Sequence, residues 1–298
     1  MSECRQALAC CLFNFRQWRG NMRVLLAFAL AFILCFFLTE RAVSVARRYD
    51  TFLQILEPFV WTFGDGTNIL LASLLLVFLF GDMPQLSAGT PFFLMRTTRR
   101  AWLLGQVLYL LGGTAVYLLF MLLSTCLLCA PVAFAGDQWS EAAALLGYGG
   151  LGGRNGIPAD TTTLEMSRPA ECAAVTFLLM LCYMLVLGLL MLAVNLRLGR
   201  SWTLGAMVAF SLWGLLLEPA LFMRLLQLPE GMAYRANVLT GWFSPLNQAT
   251  FPLHSFGYNA LPRIWQSLML FAAGAALLYL LALHAVRRYQ FQFTGAEP

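Results

Sequence analysis

The chain reads as an all-α polytopic membrane protein with six transmembrane helices, an N-terminal interfacial helix, and re-entrant or interfacial outer helices between spans five and six. Three observations point to that fold class. Of 298 residues, 60% are hydrophobic and only 11% are charged, and the mean hydropathy is +0.73. That is more apolar surface than one soluble core of this length could hide, so lipid must cover much of it. Apolar runs recur at lengths that suit a hydrocarbon layer about 30 Å thick, which takes ~17–25 helical residues. Finally, the basic residues gather in short clusters at the ends of those runs, and no soluble basic domain exists to bind nucleic acid.

Taken in order, residues 1–22 form a cytoplasmic arm in which Ala7, Leu8, Cys11, Leu12, Phe15 and Trp18 recur at helical spacing among Arg5, Arg16 and Arg19. An amphipathic helix of this kind lies in the membrane interface, either as a surface anchor or as an elbow touching a cytoplasmic subunit. The first span covers residues 23–38; no small-residue cleavage pattern follows it, so it is retained. The second, 68–82, has a short uninterrupted apolar stretch. The third, 102–130, is too long for one perpendicular crossing, so it tilts or continues outside as ordinary helix. Spans four to six cover 173–196, 202–217 and 264–286, and the whole of 1–298 forms one transmembrane domain. Between spans five and six, Leu221, Phe222, Trp242, Phe243 and Phe251 are interleaved with Pro229, Pro245, Pro252 and Pro262. So apolar a stretch predicts short broken helices dipping into the outer leaflet, or an outer cap resting on it.

Orientation follows from the arginines, because the chain has no lysine and all 19 basic residues are Arg. Six spans put both termini on one side. The terminal side carries eleven arginines against three acids, the other side eight against eleven. Arg41, Arg47 and Arg48 fall on that second side, in a longer segment mixed with Glu40, Asp50, Glu57 and Asp65. The compact clusters therefore make the terminal side cytoplasmic, and the expected setting is a bacterial cell membrane crossed several times.

Eight cysteines raise the question of a metal site. Cys126 and Cys129 form a lone C-x-x-C inside an apolar run, and the only histidines, His254 and His284, are remote from it and predicted on opposite faces. Zinc takes four ligands, so no metal site is expected and the cysteines read as small hydrophobes. The glycine-rich run Gly147–Gly156 lacks a Gly-Lys-Ser/Thr ending and follows no strand, so it reads as a flexible outer loop rather than a phosphate loop. Carboxylates are almost absent from the spans. Glu57 precedes Pro58 and Glu218 precedes Pro219, both near the outer boundary. They are either polar stops ahead of helix-breaking prolines or a pair of polar groups at the outer mouth of a conduit.

The most informative polar stretch is Gly89–Gln106, GTPFFLMRTTRRAWLLGQ, a basic turn between the second and third runs. By itself it is an ordinary positive-inside signal. Its order of residues, Gly89-Thr90, Leu94, Met95, Arg96, Arg99, Gly105 and Gln106, resembles the loop between spans two and three of ABC-2 type transporter permeases. In that family the pattern is Gly-Thr, then Arg-Pro-x-x-Arg, then Gly-Lys. This chain departs from it with Thr97 in place of the proline, Gln106 in place of the lysine, and Gln85 where an acid is expected, Asp82 being the nearest.

The resemblance implies a permease subunit forming half of an exporter's conduit, completed by a second, identical or related permease chain. It implies that the Asp82–Arg100 loop docks in a groove on a separate ATP-binding subunit. Gly89, Thr90, Arg96, Arg99, Arg100 and Gly105 would belong to that coupling element. The guanidinium groups suit carboxylates on the partner or phosphates of membrane lipids. ATP and Mg would sit on the partner chain, with no cofactor and no catalytic residue here. Aromatic, weakly charged spans suit a lipid, drug or lipophilic peptide as cargo. Two alternatives from other classes remain: a membrane-embedded enzyme, which needs a nucleophile with its base or a ligand set within the spans, and a secondary transporter, which needs repeats or broken central helices.

Overall fold

The computed structural model describes residues 3–81, 83–84, 97–227 and 229–289. They are mostly helical. Four helices are long and apolar enough to cross a membrane: α2 (Met22–Arg48), α5 (Arg99–Cys129), α9 (Pro169–Leu198) and α14 (Ile264–Arg288). Two further crossings exist only if each of two bent pairs counts as one. These are α3 (Glu57–Phe63) with α4 (Gly66–Leu79), bent by 89°, and α10 (Arg200–Leu216) with α11 (Pro219–Leu225), bent by 82°. The protein is thus all-α and multi-pass with four to six spans. The number six stays an upper bound because α4, at 14 residues, is only about 21 Å long.

The span ends differ from the sequence reading for identifiable reasons. The first helix runs past residue 38 to Arg48 because its apolar face continues through Ala42, Val43, Val45 and Ala46 while Glu40, Arg41, Arg47 and Arg48 take the opposite, exposed face. An average along the sequence reads the charges as an end; the helix simply turns them outward. Ala27, Ala31 and Cys35 on its buried stripe let the backbone of α5 approach closely, and Phe28 packs edge-on to Phe120, centroids 5.0 Å apart.

The first bent pair breaks at Gly64-Asp65-Gly66. Asp65 caps α4 by accepting from the Thr67 amide at 3.0 Å, and the Asn68 amide nitrogen donates back across the break to the Thr62 carbonyl at 2.8 Å. The second bent pair breaks where Glu218 is held extended ahead of Pro219.

Helix α9 is the centre of the bundle. Its buried side chains, among them Cys172, Leu179, Tyr183, Leu187 and Met191, lie all round it, as expected of a helix apolar on every face. It packs on α14, α10, α5, α4 and α3. Gly188 marks a close approach there: a Cβ on it would lie 2.9 Å from a methyl of Leu110, which would have to shift.

Residues 130–168 form a lobe at one end. A two-residue parallel bridge pairs β1 (Leu53–Gln54) with β2 (Ala133–Phe134), followed by short helices α6 (Glu141–Gly147), α7 (Leu151–Asn155) and α8 (Thr161–Met166). The glycine run is a helical turn rather than irregular loop: Gly150 and Gly156, both left-handed, cap α7 at its two ends. The proline-rich segment after α11 is a chain of short helices, as expected. Of these, α12 (Ala233–Phe243) and α13 (Pro245–Ala249) return to the bundle, where Leu246 and Ala249 are buried against α9, α4 and α10.

Candidate coupling site

Most of the expected coupling loop, including Asp82 and Gly89, Thr90 and Arg96, lies outside the described residues. Thr97, Arg99, Arg100, Gly105 and Gln106 are described, and they form a junction of three elements.

Helix α5 begins at a Thr98 cap, whose hydroxyl accepts from the Ala101 amide at 3.2 Å, while the Thr98 amide donates to Gln6 of α1 (Glu3–Arg16) at 3.4 Å. Arg99, the next residue, donates from Nη1 to the carbonyls of Val286 at 3.0 Å and Arg287 at 2.6 Å. Those are terminal carbonyls of α14, which lack helical partners and sit at the negative end of its dipole, so a guanidinium there satisfies both needs. Arg100 is exposed. The N-terminal arm, the start of α5 and the end of α14 therefore share one face of the protein.

Gly105 serves the arm. A Cβ there would lie 2.5 Å from that of Cys10 and 2.8 Å from the Ala7 carbonyl, so glycine is what lets α1 lie flat on α5. Below it, buried Gln106 accepts from buried Asn14 at 3.1 Å, and the Trp18 indole donates to the Tyr109 hydroxyl at 2.7 Å. The arm is thus amphipathic with a split apolar stripe. Ala7, Cys10, Cys11 and Asn14 are buried on protein, while Leu8 and Leu12, each 53% exposed, face away. The sequence predicts an interfacial helix, as a surface anchor or as an elbow on a cytoplasmic subunit, with no part for Asn14. Burial pushes the Cys10 thiol up to about 12, with neighbouring Cys11 adding to it, so it is a packing group and not a reactive one.

Glu57 and Glu218 do not form a pair of accessible carboxylates. Glu57 is fully buried (0% exposed) and accepts from the Ser140 amide and hydroxyl, each at 2.6 Å, one to each carboxylate oxygen. Gln54 braces the same place, accepting from the amides of Leu56 and Glu57 and donating to the Gly136 carbonyl at 2.8 Å. Glu57 is a clasp between the first crossing's exit and the lobe. Glu218 is exposed at the α10–α11 break and lines an open cavity of about 650 Å³ with Arg224. A larger polar cavity, about 810 Å³, lies in the lobe beside Trp139 and the Asp137–Arg168 ion pair of 3.5 Å.

No family model, curated protein or solved structure matches the chain.

Among the described residues no three His, Cys, Asp or Glu side chains gather as metal ligands, and all eight cysteines are free thiols. The C-x-x-C cysteine Cys129 points its thiol at the Ile55 and Cys126 carbonyls, at 3.6 and 3.4 Å.

Sequence reasoning found no nucleophile with a base, yet the fold makes one such contact. His254 Nε2 lies 3.0 Å from Ser267 Oγ, and Nδ1 lies 3.0 and 3.2 Å from the Thr250 and Phe251 carbonyls. Carbonyls only accept, so Nδ1 carries the proton and Nε2 accepts from the serine. Both residues are buried, and the twelve residues between them cross a fold-level turn with no local motif. By contrast Ser140 was findable, since a serine ahead of EAAALL is a helix-start signal.

Proposed function

We propose that the chain is the permease subunit of an ATP-driven ABC exporter. It forms half of a transmembrane conduit and couples to a separate ATP-binding subunit through the 82–100 loop, on a cytoplasmic terminal face. The observation that supports this most is the junction at Arg99. A displacement of the start of α5 reaches α1 through Thr98 and Gln6, and α14 through the Val286 and Arg287 carbonyls. Rigid elements sharing hydrogen bonds are the physical means by which a local displacement moves distant helices. Exposed Arg100 is a described cation of that segment suited to acidic groups on a partner.

The test is purification of the tagged protein from its native membrane in mild detergent, with mass spectrometry of the proteins that accompany it. An ATP-binding subunit is expected in the complex, to be lost in Arg96→Glu/Arg100→Glu. Arg99→Ala is the control, because it unclasps α14 without reversing a charge. If the chain emerges alone, the permease reading falls. A second reading, a membrane-embedded hydrolase, rests on the Ser267–His254 contact. Ser267 has no exposed surface, which weighs against it as a nucleophile. Labelling by a fluorophosphonate probe, abolished in Ser267→Ala, would move this reading ahead.

A further inference from the structure

Between α2, α4, α9 and α10, at the terminal-face end of the bundle, lies a cavity of about 320 Å³. That volume is at the lower end of the ~300–1,000 Å³ that small-molecule sites occupy. Its walls are mostly apolar, with Leu74, Phe78, Met191 and Met207 among them. Its polar end is made by three side chains, Arg23, Asn195 and Thr203.

Each of the three is held in place. The Arg23 guanidinium lies over the Phe78 ring, 5.7 Å from its centroid, where the ring face favours a cation. Its Nη1 is 3.4 Å from where a Cβ on Gly81 would stand, so the glycine leaves it room. Asn195 donates its amide to the Met83 carbonyl at 2.5 Å, which fixes the group and leaves Oδ1 as an acceptor. Thr203 donates to the Gly199 carbonyl at 3.0 Å and keeps its acceptor lone pairs.

Arg23 also occupies the first turn of α2, where the helix dipole opposes a cation and favours an anion. A guanidinium has five donors, so it can serve an anionic oxygen beside the partners it already has. The cavity thus offers donors to an anion, acceptors to hydroxyl or ammonium hydrogens, and an apolar wall to a hydrocarbon chain. That is the chemistry of a lipid with a phosphate and a hydroxyl- or amine-bearing headgroup.

We propose that this cavity binds the headgroup of one phospholipid from the leaflet at the terminal face, its phosphate on Arg23 and its chains along Phe78 and Met207. The site holds whether or not the chain couples to an ATPase.

Native mass spectrometry of the detergent-purified protein, titrated with dioctanoyl phosphatidylglycerol, tests it. One lipid per chain is expected at saturation. The Kd is expected to rise about tenfold in Arg23→Gln, and likewise in Met207→Trp, which fills the cavity while leaving the charge. Asn195→Asp, which adds a negative charge at constant size, should weaken binding similarly and keeps the test open should Arg23→Gln not fold. Dioctanoylglycerol, lacking phosphate, should bind about tenfold more weakly or not at all. Millimolar inorganic phosphate should not displace the lipid; if it does, and binds alone as tightly, the ligand is free phosphate and the lipid assignment is overturned. Equal lipid binding by the wild type and the folded variants would remove the site.

Discussion

Glu57 aims both carboxylate oxygens at one residue, Ser140, 83 positions away. Removing it in Glu57→Ala leaves a buried amide and hydroxyl without their acceptor, a cost of about 1–3 kcal/mol, to be read as a lowered thermal unfolding midpoint in detergent. Glu57→Gln keeps one accepting oxygen and should lose less; equal losses would mean that packing, not the hydrogen bonds, matters there. The sequence marked Glu57 as an ionisable group at a boundary but could not show what it meets, since its partner is set by the lobe's path over the bundle. Cysteines divide in the same way. Cys4 is exposed while Cys10 is buried with its thiol raised to about 12. A maleimide applied to the folded protein at pH 8 should therefore modify Cys4 and spare Cys10, because the thiolate reacts and Cys10 carries almost none below pH 10. Fast modification of Cys10 in the native protein would show that α1 leaves α5.

At the scale of the element, α1 gives the clearest contrast between pattern and structure. The 3.6-residue periodicity correctly predicts a helix, and it names most of the residues that turn out to be buried or packed. It missed Asn14, because a polar residue inside an apolar stripe makes sense only once Gln106 is opposite it. Gly105 was legible as a motif position, yet its physical role is the space it leaves for Cys10 and Ala7. Gly105→Leu should force the arm away, at about 1–3 kcal/mol for an overpacked contact, and should make Cys10 reactive in the same maleimide assay. If labelling stays confined to Cys4, the arm tolerates the side chain and the close approach is incidental. The bent pairs were the least legible elements. Gly64-Asp65-Gly66 and Glu218-Pro219 are visible breakers, but whether the two arms of a break continue a crossing or fold back is decided by neighbours, not by the breaker.

For the whole molecule, composition alone established a helical membrane protein, because hydropathy reflects the solvent and needs no knowledge of contacts. The number of crossings depends on bent helices packed against α9, and so lay beyond a linear reading. The Arg99 clasp has a consequence for biogenesis. It joins residues 187 and 188 positions apart, and the carbonyls it holds belong to the final turn of α14. A ribosome delivers α1, α2 and α5 to the membrane long before those carbonyls exist. The terminal face thus lacks this clasp throughout insertion and gains it only on arrival of the last helix. A nascent chain arrested before Val286 would carry an unlatched foot, a feature by which a membrane protease could tell unfinished chains from finished ones.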